Sequence, residues 1–148
     1  MLAGSLLPQF WERRRAKASA RAMARAYISG ILKMEEVRNH SRLYHVAIDA
    51  LRAGVQNSLP RITGAEDYPN DEVRKALISQ LGLFGPEEAS DLVQFYNMLD
   101  ALRIDLKAIA LGQWNEFPIG QQIAMVAADQ RLWEDTQQLG RYLIKRLG

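Results

Sequence analysis

The chain has 148 residues, of which 48% are hydrophobic, 24% charged and 8% aromatic, the makeup of one ordinary globular domain long enough to bury a core without covalent staples. Its net charge is +2, and the absence of cysteine excludes disulfides, thiolate metal centres and a cysteine nucleophile. No stretch reaches the roughly 18 to 20 uninterrupted apolar residues that a membrane-spanning helix needs.

The first helix is predicted from Ser5, a candidate N-cap with Pro8 tolerated in the first turn, to about Val37. Its apolar stripe is Ala16, Ala20, Met23, Tyr27, Ile31 and Met34, and the alanines allow a neighbouring helix to approach closely. Beside it Lys17, Arg21 and Arg25 repeat every fourth residue as a separate basic stripe. A turn is expected around Asn39, His40 and Ser41, followed by a second helix to about Arg52 with Gly54 as a left-handed stop. The segment VQNSLPRITGAEDY, residues 55–68, lacks helical period and reads as one long loop of a length often functional or mobile.

A short third helix starts near Pro69, with Asp71 and Glu72 in its first turn and Gly82 at its end. Gly85 then precedes Pro86 at the N1 position of a fourth helix, where Glu87 and Glu88 complement the dipole. Its seam of Leu92, Phe95, Leu99, Leu102, Leu106 and Ile109 advances by alternating threes and fours, and Gly112 closes it. The fifth helix begins around Pro118, with a seam of Ile119, Ile123, Val126, Gln130, Trp133, Gln137, Gly140 and Ile144. No strand-like alternation occurs, so the expectation is all-α: an antiparallel four-helix bundle of five helices, the second bundle member interrupted and its two short pieces end to end.

The charge is unevenly placed. From Met1 to Arg42 nine basic side chains face three acidic ones, whereas the remainder carries ten basic against fourteen acidic. The opening MLAGSLLPQFW runs into Arg13, Arg14 and Arg15, the order found where a membrane helix exits on the cytoplasmic side and the reverse of a signal peptide. Residues 1–12 are therefore read as a membrane-proximal segment or anchor remnant, and 13–148 as one bundle domain. The alternative is that Leu6, Leu7, Phe10 and Trp11 simply dock on that domain.

Chemistry-bearing patterns are sparse. His40 and His45 are five apart, off the i, i+4 spacing of a helical zinc pair, although Glu36 and His40, like His45 and Asp49, have that spacing. Neither a metal nor another cofactor is expected, and the histidines are assigned to a turn and a helix surface. Asp71/Glu72 and Glu87/Glu88 are explained by helix dipoles, but Glu35/Glu36 lie at a C-terminal end and need another partner, such as Arg38 or a second helix. No phosphate loop, G-x-S-x-G elbow or nucleophile with its base is present, so no enzyme activity is expected. Trp11, Trp114, Trp133, Phe95 and Tyr96 read as interhelix fillers rather than a base-stacking platform.

The stretches ERRRAKASARAMARAYISGILKMEEV, LRAG and QLGLFGPEEASDLVQFYNMLDALRIDL, with Gly82, Leu83, Pro86, Phe95 and Tyr96 as the most telling local match, resemble a group of small uncharacterised bacterial and phage-associated proteins. The resemblance implies an N-terminal transmembrane helix followed by a cytoplasmic helical bundle. This chain differs in having Phe84 and Gly85 where leucine and proline are more usual, and in lacking a full anchor. No functional residue carries over from the group.

The resulting expectation is a non-enzymatic bundle at the cytoplasmic face of the cell membrane. It contacts an anionic lipid surface through Leu6, Leu7, Phe10, Trp11, Arg13, Arg14, Arg15, Lys17, Arg21 and Arg25, and offers the 55–68 loop or a bundle face to a protein partner. The alternatives are a soluble homodimeric interaction module and, less favoured, a nucleic-acid-binding accessory protein, against which stands the absence of any DNA-reading motif.

Overall fold

The computed structural model describes residues 3–56, 59 and 71–148, with side chains from Leu7 onward in the first helix and from Glu72 in the third. Among the described residues five α-helices follow one another: α1 (Ala3–Arg38), α2 (His40–Arg52), α3 (Asp71–Ser79), α4 (Pro86–Ala110) and α5 (Ile119–Leu147). Short 3₁₀ turns at Leu81–Leu83 and Gln113–Glu116 flank α4, and no strand occurs among the described residues. The chain is an all-α antiparallel bundle.

Helix α5 is its central member and packs against α1, α2 and α4. The two short helices have different neighbours, α2 lying along α5 and α3 on α1, with no extended contact between them. Most of the 55–68 loop and the approach to α3 at Pro69 lie outside the described residues.

Sequence punctuation explains most boundaries. Gly54 (φ 79°) and Gly112 (φ 73°) take the left-handed conformation that ends a helix without a Cβ penalty. Gly85 is extended at the N-cap and Pro86 opens α4. Gly82 does not stop α3, which ends at Ser79, and lies within the following 3₁₀ turn instead. Ser5 lies inside α1 rather than capping it, because the helix begins at Ala3 and runs unbroken through Pro8. The turn between α1 and α2 narrows to one residue: Asn39 is left-handed (φ 50°, ψ 57°), and His40 and Ser41 already belong to α2.

The α4 seam is buried as expected. The α5 seam shares Val126, Trp133 and Gly140 with the predicted one and departs from it elsewhere. Gln122, Val126, Asp129, Trp133, Thr136, Gly140, Leu143 and Leu147 are buried, a regular alternation of fours and threes, while Ile119, Ile123, Gln130, Gln137 and Ile144 flank it. Gly140 is where three helices meet. A Cβ there would lie 3.0 Å from Phe95 of α4 and 3.2 and 3.3 Å from Ile28 and Leu32 of α1. In α1 the buried stripe is Ala20, Ala24, Ile28, Ile31 and Glu35, so Tyr27 and Met34 are flanking residues, and Ala16 and Met23 are exposed.

Candidate functional site

Helix α1 divides into two parts. From Ala20 onward it contributes a buried stripe to the bundle, but every residue from 7 to 19 is exposed. At 1.5 Å per residue this is a helical projection about 20 Å long. Leu7, Phe10 and Trp11 retain 59%, 61% and 53% exposure, so they do not dock on the domain, and Trp11 is not an interhelix filler as Trp114, Trp133, Phe95 and Tyr96 are. Phe10 and Trp11 meet edge to face at 6.2 Å, and the Arg14 guanidinium sits 5.7 Å from the Trp11 ring centre, within cation–π range. Spacings of three and four place Leu7, Phe10, Trp11 and Arg14 on one helix face. The Leu6 side chain lies outside the described ones.

The basic residues behave differently along the helix. Arg13, Arg14, Arg15 and Lys17 are exposed, whereas Arg21 turns toward the bundle, donating to Glu88 at 2.5 Å and to the Arg146 carbonyl at 2.9 Å. Glu88 is the first-turn acid of α4, and Arg146 of α5 also reaches Glu87 at 3.2 Å. The acids that complement the α4 dipole thus also hold α1 and α5 together. Arg25 is exposed and borders a surface groove with Ala18, Ala22 and Ala26.

Two buried polar clusters lie inside the bundle. Glu35 and His40 are 5% and 1% exposed. The left-handed turn at Asn39 folds His40 back under Glu35, whose carboxylate accepts from the His40 backbone N–H at 2.7 Å and pairs with the ring Nδ1. Glu35 therefore satisfies an otherwise orphaned donor of the α2 N-terminus. The His40 ring stacks on Trp133 of α5, at 5.0 Å between centres and 8° between planes. His40 is a core residue, not a turn or surface one, and Glu35 finds a partner there, on the second helix. His45 is exposed, 3.6 Å from Asp49 on the outer face of α2.

The second cluster joins three helices. Asp129 of α5 is 3% exposed, with Tyr44 Oη of α2 at 3.4 Å and Asp105 of α4 as a hydrogen-bonding neighbour. Burial first, then the hydrogen bond to and negative charge of Asp105, push the Asp129 carboxyl up to about 9, while Tyr44 opposes the shift. Asp129 is thus a neutral acid at pH 7 that donates to Asp105. Sequence reading missed it, although stepping four back from Trp133 would have placed it in the seam.

A third polar contact fastens α3. Arg74 pairs with both carboxylate oxygens of Asp100 and sits 5.8 Å from the Tyr96 ring, whose phenol is raised well above its usual range by burial and then by Tyr27, against the opposing pull of Arg74. Among the described residues no three metal-ligating side chains converge, and no helix is long and apolar enough to cross a membrane. No family model, curated protein or solved structure matches the chain.

Proposed function

We propose that this protein is a non-catalytic helical bundle that docks on anionic lipid at the cytoplasmic face of a membrane through the projecting half of α1. The observation that carries this reading is the continuous exposure of residues 7–19, with the apolar Leu7, Phe10 and Trp11 at the outer end and Arg13, Arg14, Arg15 and Lys17 immediately behind. Buried in the headgroup boundary, the three apolar side chains leave water, and the cations behind them come level with lipid phosphates. Each such cation contributes about 1 kcal/mol near an anionic surface, so the group suffices for reversible attachment without a spanning helix. Arg21 is withheld from this surface by Glu88, which leaves Arg13, Arg14, Arg15, Lys17 and the exposed Arg25 as the cations open to lipid. The bundle surface away from α1 remains available to a protein partner.

Flotation with neutral and with anionic vesicles at low and high salt tests the reading. Binding to anionic vesicles alone, weakened by salt and lost on joint replacement of Arg13, Arg14 and Arg15 by glutamine, supports it. No binding at low salt, or undiminished binding by the triple variant, refutes it.

A second reading is a soluble homodimer, favoured by the groove of about 600 Å³ that Ala18, Ala22 and Ala26 form with Leu147, where small side chains permit close helix approach. Its mark is a concentration-dependent doubling of mass in the absence of lipid.

A further inference from the structure

The single-residue turn at Asn39 leaves a half-open cavity of about 390 Å³ between the end of α1, the start of α2 and the facing surface of α5. Glu35 and Glu36 line it from α1, Ser41 from α2, and Gln137 and Arg141 from α5, with Leu32 as an apolar wall. The volume lies within the range of small-molecule sites, and polar groups from three helices converge on it.

Its floor is a carboxylate with acceptor capacity to spare. Glu35 is fixed by two hydrogen bonds from His40, whereas an ionised carboxylate offers about four acceptor positions. Across the cavity, Glu36 and Arg141 form no ion pair with any described residue. The two glutamates disfavour a simple anion, and Arg141 disfavours a bare metal cation. A ligand carrying both charges satisfies both sides.

We infer that this cavity binds a small zwitterion of the α-amino-acid class, its ammonium donating to Glu35 and Glu36 and its carboxylate accepting from Arg141 and the Ser41 hydroxyl. An apolar ligand side chain lies against Leu32. The inference is independent of lipid docking, since none of these residues belongs to the projecting half of α1.

Amide NMR of the full chain titrated with L-leucine tests it, with isoamylamine and isocaproate as probes that lack the carboxylate and the ammonium respectively. The expected result is saturable shifts at Glu35, Glu36, His40 and Arg141 with leucine in the millimolar range or below, and affinity at least about tenfold weaker for either half-molecule, the worth of one charge-assisted hydrogen bond. Arg141→Gln and Glu36→Gln each weaken leucine binding by a similar factor; both side chains are exposed, and an unchanged circular dichroism spectrum confirms the fold. Absence of saturable shifts at these residues, or equal affinity for leucine and either half-molecule, overturns the proposal.

Discussion

Replacing Asp129 by asparagine tests an acid that burial in the bundle holds neutral. Asparagine has nearly the shape of a protonated aspartic acid: its amide donates toward Asp105 and its carbonyl accepts near Tyr44, but it has no proton to lose. In the native protein burial, and then Asp105, push the Asp129 carboxyl from its ordinary 3.8 up to about 9. A carboxyl raised in this way contributes stability that is fully present below its unfolded pKa and is lost as pH rises toward the folded one. Between pH 5 and pH 8 the native state holds a proton that the unfolded chain has released. Each pH unit then removes about 1.4 kcal/mol, or about 4 kcal/mol over that interval, if Asp129 acts alone.

The assay is urea unfolding followed by far-ultraviolet circular dichroism, for wild type and Asp129→Asn, at a series of pH values from 5 to 8. Titrating groups other than Asp105, the hydrogen-bonded neighbour of position 129, contribute alike to both proteins, so the difference in unfolding free energy reports the Asp129–Asp105 pair. The variant gains on the wild type as pH rises, by up to about 4 kcal/mol, with an unchanged denaturant slope showing that the same surface is buried. Two stability curves that run parallel across this range would falsify the assignment of a neutral Asp129.

Three further outcomes follow from the same geometry. Gly140→Ala destabilises by about 1 to 3 kcal/mol, because the contacts at Phe95, Ile28 and Leu32 outweigh alanine's helix propensity of at most about 1 kcal/mol; a raised melting temperature contradicts this. Glu35→Ala costs about 3 to 5 kcal/mol in urea unfolding, since it strands the buried His40 ring and backbone donor, whereas Glu36→Ala one residue on stays within about 0.5 kcal/mol. Joint replacement of Glu87 and Glu88 by glutamine strengthens flotation with anionic vesicles by releasing Arg21 and Arg146; unchanged flotation would show that neither cation reaches the lipid.

What the sequence disclosed depended on how much of each seam is apolar. In α4 all six predicted seam positions are Leu, Phe or Ile, so the pattern identifies the buried face without ambiguity. In α5, Gln122, Asp129, Thr136 and Gly140 fill half of the eight buried positions, and counting apolar residues drifts to Ile119, Ile123 and Ile144 on the flank. Of the eight predicted seam positions, Val126, Trp133 and Gly140 are the ones the structure buries. Thr136 hides for a local reason, its hydroxyl returning to the Leu132 carbonyl within the same helix.

The buried polar clusters were hidden for a different reason: their partners are defined by the fold. Tyr44 meets Asp129 across 85 positions of chain, which no local pattern records. Glu35 was marked by its unfavourable place at a helix end, yet on a continuous helix a residue five positions on points some 140° away. Only the left-handed Asn39 brings His40 beneath it. The exposed end of α1 presents the converse case. Its composition was legible because no bundle contact buries residues 7–19, but an occupant outside the chain would leave no mark in the sequence pattern. The lipid docking proposed above rests on this order: Trp11 and Phe10 lie beyond the cations along the helix axis, so on a membrane apolar insertion and phosphate pairing would occur together, whereas a soluble polyanion would engage only the second.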